Sequence, residues 1–276
     1  MQLPMPKALS LLATGLAALL LAAPAFGWTP ASMNTIGEQA ARLAPPDLHR
    51  QLAKNRESYR IGLNKPFELA AELRNRNEDG SGKLDSAALQ AADMAIAAIR
   101  GQRPFNEIAY RMGVAVHLVS MVNWPLATSS KDREEPRYEA DFSRYAATAE
   151  PRLRLVFYGF RPALDKIPLG KGEPRHLKVL LDEAFARSRR TYPLVGLEYR
   201  RIGFGSGPRL FDDRSTAYAI GSLSYSHAVS DSAEVLRYIW LAAGGGDSRS
   251  RIPLRGQQLV QLAPLSSPRP SAAPSR

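Results

Sequence analysis

Apolar residues recur every three or four positions along most of this chain, which is the pattern of helices that bury one face. The clearest stripe lies in residues 86–101 and consists of Leu89, Ala92, Ile96 and Ile99. The alternation that is typical of strands is confined to a doubtful stretch at residues 196–204. We therefore predict an all-α fold, a single bundle of about seven or eight helices.

The same spacing indicates where the helices lie. A proline in the first turn marks the start of the second helix, because the N–H group that proline lacks would have no partner there. The predicted helical segments are 31–43, 45–63, 86–101, 104–123, 137–158, 174–192 and 213–243.

The amino end of the chain has the composition of an export signal. Lys7 precedes an apolar run, and Ala25 and Gly27 place small residues at the two positions that a signal peptidase requires. We expect residues 1–27 to be a signal peptide, with a membrane-spanning helix as the alternative. The mature chain would then begin at Trp28 and reside in the periplasm or outside the cell.

The rest of the composition limits how the mature chain can be stabilised. From residue 246 onward it is rich in Gly, Ser, Pro and Arg, so residues 246–276 are predicted to be a disordered tail. Residues 28–245 then form one domain. Cysteine is absent, which excludes disulfides, thiol nucleophiles and cysteine-ligated metal sites.

The formal net charge is +11 at pH 7. This balance favours anionic partners, such as phosphate-bearing ligands, membrane headgroups, envelope polymers or nucleic acid. The aromatic residues of "YPLVGLEYRR" (192–201) stand among basic ones, but only at the density of any basic protein. The sequence therefore gives no specific sign of nucleic-acid binding, and a basic protein without an anionic partner remains an alternative.

Only four histidines are available for a metal or acid–base site. His117 lies in an apolar helical segment, and His227 is followed one turn later by Asp231 in a polar stripe of the form H-x3-D-x2-E. A histidine and a carboxylate four residues apart on a helix can share a metal, or the carboxylate can orient the imidazole. Both interpretations stay open. His49 and His176 have polar neighbours and are expected to face solvent.

Two stretches of the sequence together resemble one protein family. The first is "WTPASMNTIGEQAARLAPPDLHRQL" at the start of the mature chain, and the second is "YRMGVAVHLVSMVNWPLAT". They are similar to the zinc-dependent phospholipases C and the related fungal single-strand nucleases, whose hallmark helix has the form L-G-x-x-x-H-x-x-x-D-x-x-x-P-x-H. The residues that match this form are Met112, Gly113, His117 and Pro125. The resemblance implies an all-α fold like theirs.

The resemblance also implies a zinc site at the mature amino terminus. In that family the first tryptophan chelates zinc through its α-amino and carbonyl groups, and Trp28 would take this place after cleavage. His117 and Asp141 match further ligand positions. A reduced zinc site in this chain would use Trp28, His117 and Asp141 together with the pair His227 and Asp231.

Most of the ligands that the family uses are nevertheless replaced. The hallmark aspartate is Met121, the following histidine is Ala127, and an early histidine falls near Met33 or Asn34. Methionine and alanine cannot hold zinc among oxygen and nitrogen ligands, so a three-zinc centre is not expected. Arg137 stands where another histidine belongs, and its fixed charge is predicted to bind anions in place of part of the missing metal charge.

Three functions are compatible with these observations. The first is an exported, non-catalytic protein with a degenerate metal site that binds an anionic ligand. The second is a phosphoester hydrolase, of the phospholipase C or nuclease type, with a reduced zinc site. The third is a basic interaction protein of the cell envelope. The cofactor is therefore none or zinc, and the loss of ligands favours the first function over the second.

We predict that the exported protein begins at Trp28, because Ala25 and Gly27 satisfy the cleavage rule. Intact-mass spectrometry of the exported protein checks this. A mature form that retains Lys7, or that starts several residues away from Trp28, would contradict the prediction. It would also remove the α-amino group on which a zinc site of the expected type depends.

Overall fold

The computed structural model describes residues 27–68, 83–128, 133–204 and 207–246. Residues 1–26 of the predicted signal peptide lie outside the described residues, as does the predicted tail from residue 247 onward. Within the described ranges the chain is helical and contains no strand. Eight of the helices there have nine residues or more, which confirms the predicted all-α bundle.

The eight helices are numbered in chain order: α1 Pro30–Leu43, α2 Pro46–Lys54, α3 Arg56–Asn64, α4 Lys83–Arg100, α5 Phe105–Val122, α6 Glu135–Ala149, α7 Pro174–Ile202 and α8 Thr216–Ala242. Three short 3-10 segments lie at Lys65–Glu68, Glu150–Arg152 and Leu164–Lys166, and Gly207–Leu210 form a single α-helical turn. None of the described helices combines the length and the apolarity that are needed to span a bilayer.

Two prolines move helix ends away from their predicted positions. α6 ends at Ala149 rather than at residue 158, because Pro151 follows and proline cannot continue a helix interior. α7 instead runs through Pro193 to Ile202, so the doubtful strand at 196–204 is wrong. Pro193 is exposed, while Tyr192, Val195 and Tyr199 are buried, and this shared buried face outweighs the hydrogen bond that proline removes.

The segment between α6 and α7 is extended and lies along α8. The backbone N–H groups of Val156 and Tyr158 donate to the hydroxyl oxygens of Ser226 and Ser230, at 3.1 Å and 3.4 Å. Ser226 also donates to the carbonyl oxygen of Arg154 at 3.3 Å. Serines four residues apart on a helix therefore provide the partners that a neighbouring strand would give to this segment. As a result, the polar stripe of α8 is covered by protein.

α5 lies at the centre of the bundle, and α3 crosses it at very close range. Gly62 and Gly113 make this crossing possible. A Cβ atom on Gly113 would overlap the backbone of Tyr59 and Leu63, and one on Gly62 would overlap the carbonyl group of Tyr110. The two helices therefore touch through their backbones, and the residues of α5 beyond the crossing, from Ala115 to Val122, are almost all buried.

We predict that Gly113→Ala lowers the free energy of unfolding by about 2–3 kcal/mol, because the methyl group would meet rigid backbone atoms rather than a movable side chain. Gly221→Ala on α8 is the matched control, since a Cβ there meets nothing within 4 Å. The control should leave stability unchanged or raise it by up to about 1 kcal/mol. Urea unfolding of both variants is the measurement, and equal effects at the two sites would contradict the described crossing.

Candidate functional site

Trp28, the expected first residue of the mature chain, lies in the core. Only 2% of its surface is exposed, and its indole Nε1 donates to the carbonyl oxygen of Ser120 at 3.0 Å. Its ring meets Trp124 edge to face, with centroids 4.9 Å apart, and lies 6.3 Å from Tyr225 on α8. The amino end of the domain is thereby fixed between α5 and α8.

The backbone at this end lies beside Met121. Gly27 has φ +93°, and a Cβ atom placed on it would stand 2.5 Å from the terminal methyl group of Met121. Ser143 of α6 donates to the carbonyl oxygen of Gly27 at 2.6 Å. Position 121, where the resemblance expects an aspartate, therefore lies next to Gly27, the residue before the expected start of the mature chain, and it presents a thioether and a methyl group there.

Asp141 is buried on α6, two residues before Ser143. Arg144 donates to its carboxylate at 3.1 Å. The same carboxylate lies close to the hydroxyl group of Tyr199, and burial together with this carboxylate raises the pKa of the Tyr199 phenol. Asp141 is thus part of a local arrangement with an arginine and a tyrosine.

His117 is buried at the crossing of α3 and α5. Its Nδ1 lies 2.6 Å from the carbonyl oxygen of Leu63, so this nitrogen carries a proton and donates it to the hydrogen bond. Burial lowers the pKa of His117 to about 4, although the hydrogen bond to Leu63 acts in the opposite direction. The imidazole is therefore neutral at pH 7, and it links the two helices next to their glycine contact.

Asp231 has partners other than His227. Its Oδ2 accepts hydrogen bonds from the amide of Asn123 at 2.9 Å and from the guanidinium of Arg187. Arg187 also donates to the side-chain oxygen of Asn123 at 3.1 Å, so the three side chains form a closed network between α5, α7 and α8. His227 instead stacks on Tyr158 with a centroid distance of 4.5 Å.

Burial and the charge of Arg187 both affect the ionisation of Asp231 and His227. Burial raises the pKa of Asp231 to about 6, while Arg187 and Asn123 act to lower it. Burial, followed by the nearby Arg187, lowers the pKa of His227 to about 4. A metal ion here would have to compete with a guanidinium for the same carboxylate and would be repelled by its charge.

The candidate metal ligands are spread over several places in the bundle. His117 lies at the α3–α5 crossing, Asp141 lies beside Arg144, and Asp231 belongs to the network with Arg187. No group of three His, Asp or Glu side chains in the described part of the chain is placed to hold a metal ion. Chelation by a free amino group at Trp28 stays a prediction.

Arg137 lies on the surface near the end of α7. Its guanidinium stands 4.2 Å from the ring centre of Phe204, which follows α7. It also lies 3.8 Å from a carboxylate oxygen of Glu134, whose other oxygen is 3.8 Å from Arg200. The predicted anion-binding role of Arg137 stays untested, but its neighbours are these surface side chains.

The bundle contains a second cluster of polar side chains that the sequence did not predict, although one of its members, Glu234, belongs to the polar stripe of α8. Glu234 is buried, and its Oε1 lies 3.3 Å from Arg161 and 3.2 Å from His176. Arg161 also donates to Glu183 at 2.8 Å. His176, expected to face solvent, is largely covered and stacks on Tyr238 with a centroid distance of 5.8 Å.

His49 was also expected to face solvent. It is part-buried instead, and its Nδ1 lies 2.9 Å from the backbone oxygen of Ala41.

Arg161 and His176 lie on the wall of a cleft of about 390 Å³ at the amino end of α7. We call it the basic cleft, and its charged or titratable lining residues are Arg161, Lys166, Glu173, Arg175 and His176. Lys166 and Arg175 form no ion pair with other described residues. Arg161 is paired with Glu183 and Glu234, so the positive charge that remains in the cleft comes from Lys166 and Arg175, and the lining also includes apolar groups.

A larger and more open cleft of about 740 Å³ has Asn34 and Asn64 on its wall. Its arginines are already neutralised in part, because Glu38 lies 2.6 Å from Arg56 and 3.7 Å from Arg60. The basic cleft is accordingly the better candidate for an anion.

Comparisons with known proteins add no relative. The sequence matches no protein-family model, and it matches no protein of curated function. The similarity to the zinc-dependent phospholipases C therefore depends on the motifs quoted above and stays a prediction.

We predict that His117 makes the protein less stable in acid. Its folded pKa of about 4 lies below the unfolded value of 6.5, so between these values the unfolded state binds a proton that the folded state does not. Stability should fall as the pH drops through this window, by about 2 kcal/mol between pH 6.5 and 5. Asp231 acts in the opposite direction, because its folded pKa is raised.

Urea unfolding of the wild type and of His117→Gln at pH 6.5 and 5 measures the effect. The variant should be less stable at both values but should lose about 2 kcal/mol less between them. His49→Gln, at the part-buried histidine of α2, is the control for the general effect of replacing an imidazole by an amide. An unchanged pH dependence in His117→Gln would show that the buried imidazole is not responsible.

Proposed function

We propose that this chain is an exported, non-catalytic helical protein, divergent from the zinc-dependent phospholipases C, that binds an anionic ligand. The observation that supports the proposal most directly is that Met121 lies beside Gly27, the residue that directly precedes the expected mature amino terminus at Trp28. Zinc held by the amino group of Trp28 would need further nitrogen or oxygen ligands at this place, and a methionine side chain supplies neither.

The partners of the remaining carboxylates support the same proposal. Arg144 is bonded to Asp141, and Arg187 is bonded to Asp231. Each guanidinium supplies the positive charge and the directed donors that a buried carboxylate needs, without a metal ion. A protein built in this way keeps its fold when metal is withheld.

The basic cleft is the site that we propose for the anionic ligand. Arg161 and His176 are held on its wall by the buried carboxylate of Glu234, so they need little reordering when a ligand arrives. Lys166 and Arg175 contribute charge that no ion pair in the described chain neutralises. A cleft of this size suits a small molecule that carries a phosphate or carboxylate group.

A phosphoester hydrolase with a reduced zinc site is the second candidate. One observation favours it: Ser143, on the same helix as Asp141, donates to the carbonyl oxygen of Gly27, which directly precedes the expected amino-terminal residue Trp28. The expected amino-terminal ligand and one of the expected carboxylates are therefore on neighbouring segments.

Metal content separates these two candidates. The mature protein beginning at Trp28 should carry well under one zinc per chain after dialysis and should not hydrolyse bis(p-nitrophenyl) phosphate, because stable zinc binding needs three or four suitable ligands. Elemental analysis and the hydrolysis assay are the measurements. Stoichiometric zinc that is lost in His117→Ala would overturn the degenerate-site proposal and make the hydrolase the leading candidate.

Anion binding is tested with inorganic phosphate by titration calorimetry. The double variant Lys166→Gln/Arg175→Gln should bind it at least roughly tenfold more weakly than the wild type, since two charge-assisted contacts are lost. The matched control Arg50→Gln/Lys54→Gln removes the same charge from exposed positions on α2 and should bind as the wild type does. Equal binding by all three proteins would exclude the basic cleft as the site.

A further inference from the structure

The exposed side of α7 changes character halfway along the helix. In the first half Lys178 is paired with Asp182 at 2.9 Å and Glu183 lies nearby, as is usual for a solvated helix face. In the second half the exposed residues are arginines, leucines and a proline: Arg189, Arg190, Pro193, Leu194, Leu197, Arg200 and Arg201. We call this second set the arginine–leucine face.

The members of the arginine–leucine face lie side by side. At 100° per residue they fall within an arc of about 140° around the helix axis. Leu194 and Leu197 are 43% and 55% exposed and, being three residues apart, are neighbours on the helix surface. Single exposed leucines are ordinary, but here two adjacent ones are surrounded by four arginines.

Two of the four arginines of this face have no carboxylate partner among the described residues. Arg189 and Arg190 form no ion pair within the described chain. Arg201 is paired with Glu198 at 2.8 Å, and Arg200 lies 3.8 Å from Glu134. The surface also continues past the end of α7, because Glu134 lies between Arg200 and the exposed Arg137 described above. On this side of the molecule Arg137, Arg200 and Arg201 thus each lie near a carboxylate, while Arg189 and Arg190 add charge without an ion pair among the described residues.

We propose that the arginine–leucine face binds the surface of an anionic lipid bilayer. Guanidinium groups bind lipid phosphates through paired donors, and their aliphatic stems extend along an apolar surface to reach them. The two leucines between them would enter the region where headgroups meet acyl chains, with α7 parallel to the membrane. A nucleic acid or another soluble polyanion would bind the arginines, but it would leave the side chains of the two leucines exposed to water.

This proposal goes beyond the anion-binding cleft and does not depend on it. The basic cleft lies at the amino end of α7, and position 197 is about 30 Å further along the helix than position 176. A protein could bind a small anion in the cleft without contacting lipid, and the reverse also holds. Variants of the two places therefore test the two proposals separately.

Vesicle co-sedimentation of the full mature chain is the test. Binding to mixed phosphatidylcholine–phosphatidylglycerol vesicles should be at least roughly tenfold tighter than binding to phosphatidylcholine alone, and salt should weaken it. Arg189→Gln/Arg190→Gln and Leu194→Ser/Leu197→Ser should each lower the affinity for the mixed vesicles roughly tenfold. All four positions are exposed, so circular dichroism and the thermal midpoint should show folded proteins.

Matched controls remove the same groups elsewhere. Arg50→Gln/Lys54→Gln changes two exposed cations on α2, and Ile61→Ser/Leu223→Ser changes two exposed apolar residues on α3 and α8. Both controls, and the cleft variant Lys166→Gln/Arg175→Gln, should bind vesicles as the wild type does. Failure of the wild type to prefer the anionic vesicles would overturn the proposal. It would also be overturned if the leucine pair had no effect while a DNA oligonucleotide bound as tightly as the vesicles.

Discussion

The crossing of α3 and α5 is the contact on which the rest of the bundle depends. Gly62 and Gly113 bring two helix backbones together, and one turn further along His117 bonds to the carbonyl group of Leu63. Because the helices are so close, the remaining surface of α5 is left for α4 and α8. α5 is then packed against other helices on all sides. This packing buries the apolar surface on which the stability of a domain without disulfides depends.

Three buried carboxylates of the bundle have a guanidinium group beside them. Asp231 meets Arg187, Asp141 meets Arg144, and Glu234 meets Arg161. A carboxylate buried alone would become protonated or would require a metal ion. These arginines make a metal unnecessary for the fold, which supports the proposal that a relative of a metalloenzyme family can persist without its metal.

The sequence predicted the helices well where burial is periodic and local, as in α1, α4 and α5. It failed at prolines, because the effect of a proline depends on what packs around it. α6 stops before Pro151, whereas α7 continues through the exposed Pro193 on a shared buried face. The break between α2 and α3 at Asn55 was missed for the same reason, since no sequence pattern shows how the two short helices dock.

The site was less predictable than the fold. The sequence singles out Trp28 through the predicted cleavage point, but the burial of Trp28 against Trp124 depends on packing between distant segments. His227 and Asp231 are four residues apart and were interpreted as a pair, yet Asp231 is bonded to Arg187, 44 residues away. Spacing along one helix cannot show which side chain a neighbouring helix will supply. The basic cleft was missed because its residues come from two segments that meet only in the folded chain.

The network of Asn123, Arg187 and Asp231 has a consequence for how this sequence can change over generations. Replacing either charged member alone leaves the other buried without compensation, which is among the costlier single changes a protein can undergo. Replacing both at once with apolar residues of similar volume is far less damaging. The residues at positions 187 and 231 should therefore covary among descendants of this chain, and this covariation would help to recognise them.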